Sequence, residues 1–164
     1  MKRAIAREEV EESLYDSDFY EWTKRVSGAI RDSGLSDADA EHVAEEIADI
    51  GKRDRRELRS RMTVLVMHLM KWAAQPEKRV GSTWKATIQQ QRNQVADLLE
   101  DSPSLRVILV NELPVVYGRA ARLAADETGV QFLSSVKPPG GRAAQADRLL
   151  SDTWFPETIA DLFN

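Results

Sequence analysis

A chain of 164 residues carrying 27 Asp and Glu against 23 Lys and Arg has a net charge of −4, which argues against bulk affinity for nucleic acid. It contains no Cys, so no disulfide can form, which suits a reducing cytoplasm. The longest apolar run, Val64-Leu65-Val66-Met67, falls far short of the roughly 20 residues a membrane span needs. The start, Met1-Lys2-Arg3 followed by acidic residues, lacks the apolar segment of a signal peptide. The expectation is one soluble, cytoplasmic domain over residues 1–164, able to bury about 70% of the surface its unfolded form exposes.

Residues 1–14 are charged and read as a short, frayed helix. The first firm element follows Asp16 or Ser17 as cap, with Phe19, Trp22, Val26, Ala29 and Ile30 on one face and Gly34 as its C′ residue. A loop of a few residues sets it antiparallel to the next element. That element is the longest, Asp37 to Ala74. Ser36 caps it, and Asp37 and Asp39 lie where the helix dipole favours negative charge. Val43, Ile47, Ile50, Leu58, Met62, Leu65, Leu69 and Trp72 recur at steps of threes and fours over most of it, which is the helical period. Pro76 stops it.

A straight helix of that span is about 57 Å long at 1.5 Å per residue, against a diameter near 40 Å for a compact domain of this size. The helix must bend, protrude or be covered by a second subunit. The weak point is Gly51 to Glu57, where Gly costs about 1 kcal/mol against Ala and the apolar stripe lapses. A bend or break near Gly51 is one expectation. The other is a continuous helix that offers its flank to a partner.

Ser82 caps a third helix bearing Trp84, Ile88, Gln91, Val95, Leu98 and Leu99, ending near Asp101. Ser102-Pro103 starts a fourth, with Leu105, Ile108, Leu109 and Leu113. Pro114 should kink or split it before Val116, Tyr117, Ala120, Leu123 and Ala124, and Gly129 ends it. Residues 134–142, with Pro138-Pro139-Gly140-Gly141, form a loop by composition. Ala143 to Leu150 and Pro156 to Phe163 read as two short helices, with Trp154, Phe155, Leu162 and Phe163 apolar enough to dock on the body. No period-two alternation appears, so no strand is expected. The predicted fold is all-α, an irregular up-down bundle of about five or six helices around one long central helix.

Several strings together resemble a known family. They are Leu14-Tyr15-Asp16-Ser17-Asp18-Phe19-Tyr20-Glu21-Trp22, Val43-Ala44-Glu45-Glu46-Ile47 with Gly51, and His68-Leu69-Met70-Lys71-Trp72 with Gln75-Pro76. Ser82-Thr83-Trp84-Lys85-Ala86-Thr87-Ile88 with Gln91-Arg92, Pro103-Ser104-Leu105-Arg106 and Ala124-Ala125-Asp126-Glu127-Thr128-Gly129 complete them. In this order they are similar to the bacterial family named domain of unknown function 29, over about residues 14–130. The resemblance implies an all-helical fold and no assigned activity. That family closes with a Cys-Pro-Tyr segment. This chain lacks it, so residues 131–164 stand as a divergent tail.

Chemistry is sparsely signalled. His42 and Glu46, four apart on one helix face, could reach one ion, but a structural site wants about four such ligands, so neither metal nor cofactor is expected. The Glu-x-x-His pattern of di-iron bundles is absent, because Leu65 stands three before His68. His68 sits one turn before Trp72 in an apolar stretch and is the one candidate general base. The competing reading is a core His bonded to a carboxylate or carbonyl. A nucleophile partner could only be Thr63 or Ser82, by elimination. No nucleophile elbow, phosphate loop or dinucleotide fingerprint exists.

Glu45 and Glu46 point about 100° apart and cannot share a proton. One is expected to face inward and pair with Arg92 or an Arg of the 53–61 run. Trp22, Trp72 and Trp84 lie on apolar stripes and read as core. The minority reading, an aromatic pocket between helices, makes Glu46, Trp72, Trp84 and Arg92 the candidate binding residues. Within the basic run 52–61, Arg53, Arg55, Arg56 and Arg59 are the candidate phosphate contacts, blunted by pairs such as Glu57-Arg61. The leading expectation is a non-enzymatic interaction or regulatory module, self-associating through the central helix. The alternatives are a nucleic-acid-associated protein using that basic run and a small enzyme with His68 as general base.

Overall fold

The computed structural model describes residues 14–33, 36–131 and 140–163. Their elements, in order, are α1 (Phe19–Arg31), α2 (Asp37–Ala74), α3 (Trp84–Asp101), α4 (Leu105–Thr128) and α5 (Arg142–Leu150). Short 3-10 turns stand at Pro76–Lys78 and Ile159–Leu162, and a helical turn at 14–17. No strand occurs among the described residues. The chain forms two compact units: Met1–Glu57 with Leu98–Arg106, and Leu58–Asp97 with Val107–Asn164. The expected frayed helix before Leu14, the C′ role of Gly34 and most of the 134–142 loop lie outside the described residues.

α2 runs for 38 residues without interruption, so no break occurs at Gly51. The glycine serves a different purpose. A Cβ there would collide with Thr23 Oγ1 and stand 3.2 Å from Tyr20 Cδ2, so α1 lies close against α2 at Gly51. The seam is built from small residues: Ala40, Ala44 and Gly51 on α2 are buried, as are Thr23 and Ser27 on α1. An Arg31–Glu41 ion pair at 3.1 Å closes the far end and fixes the two helices antiparallel. Asp18, rather than Asp16 or Ser17, caps α1, its Oδ1 accepting the Glu21 N–H at 2.9 Å. Its carboxylate also accepts from Ser104 N at 2.7 Å and Ser104 Oγ at 2.9 Å, just before α4 begins. In return Ser102 Oγ accepts the Tyr20 N–H at 3.1 Å, so Ser102 serves α1 rather than capping α4.

The second unit holds the larger core, with Leu58, Met62, Leu65, Leu69 and Met70 of α2, Ile88 and Val95 of α3, and Leu109, Leu113, Val116 and Tyr117 of α4 all buried. Pro114 removes a backbone donor yet does not divide α4. Leu113, Val116 and Tyr117 anchor the helix on both sides of it, and packing outweighs the local cost of about 3 kcal/mol. Two ion pairs brace this unit: Arg59 grips Glu112 through both carboxylate oxygens, and Lys71 pairs with Glu127.

The tail is tied down by polar groups as much as by rings. Tyr117 Oη donates to the Leu162 carbonyl at 3.0 Å, and Gln145 Nε2 donates to Tyr117 Oη at 2.6 Å and to the same carbonyl at 3.0 Å. Burial drives the Tyr117 phenol up to about 12, against a lowering from Gln145. Leu162 is buried and Phe163 meets the Tyr117 ring edge-on at 5.7 Å. The helix expected over Pro156 to Phe163 is reduced to the Ile159–Leu162 turn, held by a capping box between Thr158 and Asp161.

Candidate functional site

The stripe read from the first half of α2 does not face a core. Val43 is 46% exposed and Ile50 36%, whereas Ala44 and Gly51, one residue further on in each case, are buried. On α1 the pattern repeats. Phe19, Trp22, Val26 and Ile30 are only half-buried and Ala29 is exposed, while the smaller Thr23 and Ser27 are inside. Helical spacing places Val43, Ile47, Ile50 and Asp54 in one row of α2, and Tyr15, Phe19, Trp22, Val26 and Ile30 in one row leading along α1. The two rows border a common surface, because Tyr15, Phe19 and Asp54 line one cavity of about 380 Å³. The first unit therefore presents an open apolar face along its two-helix hairpin. Tyr15, Phe19 and Trp22 pack together at one end, with ring centroids 4.9 to 5.7 Å apart.

The cavity at that end is acidic. Asp16, Asp54 and Asp101 line it with Leu98 and Ser102. Burial pushes the Asp54 carboxyl above its ordinary value, and the negative charges of Glu57 and Asp101 push it the same way. No group of three or more His, Cys, Asp or Glu among the described residues is placed to hold a metal ion.

The sequence model of the family described as Domain of unknown function DUF29 matches residues 14–155. The chain belongs to the DUF29 family. The match runs past Gly129 to Phe155, well into the segment whose ending diverges. A solved alpha-helical protein of unknown function from Rhodospirillum rubrum is similar, with 23% identity, 92% of this chain and 98% of that chain covered, and a TM-score of 0.66. That likeness supports the all-helical fold. No curated protein matches the sequence.

The other candidate residues of this DUF29 chain are dispersed. Glu45 and Glu46 are both exposed, so neither carboxylate faces inward as expected; Ala44 takes the buried position. Arg92 lies in the other unit and is buried, but its partners are carbonyl oxygens: Nε donates to Leu149 at 2.9 Å, Nη2 to Trp154 at 2.6 Å and Nη1 to Asp152 at 3.4 Å. The Phe155 ring lies over the guanidinium at 5.0 Å and over Trp72 at 5.1 Å. Trp72 also carries the Arg79 guanidinium at 5.1 Å, and Trp84 the Lys71 ammonium at 5.1 Å. These rings and cations join elements of the second unit to its C-terminal segment.

His68 is partly buried, with Nδ1 donating to the Val64 carbonyl at 2.9 Å, which fixes the proton on Nδ1 in the neutral ring. Burial depresses its pKa, and Lys71 adds to that effect, against raising contributions from the Val64 bond and Glu127. The two hydroxyls that might have served it bond to backbone instead: Thr63 donates to Arg59 O at 2.8 Å and Ser82 to Arg79 O at 3.1 Å. Among the expected phosphate contacts, Arg59 is committed to Glu112 and Arg56 donates to the Lys52 carbonyl at 3.1 Å. Arg53 and Arg55 are exposed on α2.

The open face escaped the sequence because periodicity marks where apolar residues fall, not which side of a wide stripe is covered. The available signal was the parallel run of small residues, Ala40, Ala44, Ala48 and Gly51, at the same spacing beside the larger ones.

Proposed function

We propose that this DUF29 chain is a protein-interaction module, working through the open hairpin face of its first unit rather than by catalysis. The observation that carries the reading is the exposure of Tyr15 (51%), Val43 (46%) and Ile50 (36%) on that face. Contiguous apolar surface of this kind, when left uncovered, marks interaction sites. No helix among the described residues is long and apolar enough to cross a membrane.

The test is a photo-crosslinking amino acid placed singly at Val43, at Ile50 or, as control, at Val107 on α4, which is 66% exposed. In cells, positions 43 and 50 should give one discrete protein adduct that the Val107 position does not. Absence of any adduct at both positions, with the chain folded by circular dichroism, refutes the reading.

A further inference from the structure

Two charged residues flank the exposed row of α2 on the side away from the α1 seam. Glu46 stands three residues after Val43, and Arg53 three after Ile50. They are seven apart, hence on one flank of the helix two turns from each other. Both are exposed, and the charge of Arg53 helps to lower the carboxyl of Asp49, one turn before it on the same helix. Val43, Ile47, Ile50 and Asp54 are spaced by four, three and four, which is the seam pattern of helices packed side by side. In that pattern Glu46 and Arg53 occupy the flanking positions whose charges select partner and orientation.

The arrangement has a centre. A two-fold axis crossing α2 near Ala48 and Asp49 would seat Ile47 against Ile50 of the other copy and Val43 beside Asp54, with Glu46 on the flank then lying beside Arg53. Because a two-fold contact is made twice, both Glu46–Arg53 pairs form at once. A parallel pairing would place the Glu46 and Arg53 flanks of the two copies on opposite sides of the seam, so neither residue would reach the other copy's partner charge. The flank is thus complementary to itself in one orientation. We infer that the occupant of the open face is a second copy of this chain, its α2 lying antiparallel along Val43, Ile47 and Ile50, with Glu46 of each copy paired to Arg53 of the other. The aromatic row Tyr15, Phe19 and Trp22 borders the same face and adds apolar surface beside the α2–α2 contact.

This inference rests on the interaction reading above, and its test separates the two. The mass of the full-length chain is measured by light scattering across a dilution series up to about 100 µM, a range that detects contacts of micromolar strength. Twice the chain mass is expected at the upper end. Ile50→Asp should return single-chain mass at every concentration. Glu46→Arg or Arg53→Glu alone places like charges at both symmetric contacts and should weaken association about tenfold or more. The double variant carrying both substitutions restores opposite charges and should recover wild-type association. Each charge variant lies on an exposed position, so its fold is checked independently by circular dichroism. Single-chain mass for the wild type throughout overturns the inference. Dimers that ignore the single charge changes, or a double variant that fails to recover, overturn the antiparallel pairing. A crosslinked adduct at position 50 that contains a different protein, with the wild type of single-chain mass, retires the second copy and leaves the interaction module standing.

Discussion

Gly51→Ala is the sharpest probe of how the first unit is assembled. In an open helix interior the change should stabilise by about 1 kcal/mol, because Gly carries that penalty against Ala. Here the new methyl would enter the space of Thr23 Oγ1 and come to 3.2 and 3.4 Å from the Tyr20 ring. Thr23 cannot turn aside freely. It is fully buried, and its hydroxyl donates to the Tyr20 carbonyl at 2.7 Å. Rotating it away strands a buried donor, at about 1–3 kcal/mol; keeping it in place forces α1 outward, and overpacking of that kind costs about 1–3 kcal/mol. Against a propensity gain of about 1 kcal/mol, either route leaves Gly51→Ala destabilised by up to about 2 kcal/mol. Thr23→Ala removes the obstructing atom, and in that background Gly51→Ala should be close to neutral or stabilising. The coupling energy of the cycle should therefore exceed about 1 kcal/mol. Urea unfolding of the four proteins, followed by circular dichroism and by tryptophan fluorescence, measures it. A single variant at least as stable as the wild type, or a strictly additive cycle, would refute the claim that Gly51 exists for the close approach of α1.

Three further outcomes follow from single side chains. Arg92→Lys cannot reproduce a planar fork reaching three carbonyls, so the second unit should lose about 2–4 kcal/mol in urea and its C-terminal segment should become more susceptible to limited proteolysis; an unchanged midpoint would show that the fork does not hold that segment. Asp54 has a folded pKa above its unfolded value, chiefly through burial, so the folded state favours its protonated form and its contribution to stability is lost as pH rises from its ordinary value of 3.8 through the raised one. Asp54→Asn should accordingly be more stable than wild type at neutral pH and flatten that part of the stability–pH curve, and a variant less stable at pH 7 would contradict the assignment. His68 has the opposite sign: its folded pKa lies below the ordinary 6.5, so stability falls as pH drops through 6.5 toward the depressed value, and its NMR titration midpoint should lie below 6.5. A midpoint at or above 6.5 would mean the ring is not desolvated.

The helices themselves were legible because their signals are local. Threes and fours of apolar spacing, Pro76 after α2 and Gly129 after α4 are read within one or two turns, and the structure ends α2 at Ala74 and α4 at Thr128, with Gly129 at φ 76°. What escaped depends on residues far apart in the chain. The spacing predicts the cap at Asp16 or Ser17, whereas Asp18 holds that place and also serves Ser104, 86 residues away. Arg92 read as the partner of a carboxylate, since a buried cation ordinarily seeks an anion; three carbonyls at the end of α5 and beyond supply the negative ends of dipoles instead. Gly51 read as a weak point because propensity is local, whereas the reason for it lies on α1.

The two halves of α2 show why one continuous stripe can serve two purposes. From Leu58 onward the large side chains point into a core and are buried, Leu58, Met62, Leu65 and Leu69 to within about a hundredth of their surface. Before Gly51 the inner line changes to alanine and glycine, which lets α1 approach closely and shifts Val43 and Ile50 to the rim. A seam of small residues gains dispersion contacts at short range but buries little apolar area, and burial stabilises by only about 25 cal/mol per Å². The large apolar side chains of α1 and of early α2 therefore contribute less than their size allows while the face stays open. Covering that face would recover the area without disturbing the seam, which is the energetic reason to look for an occupant there rather than on the second unit.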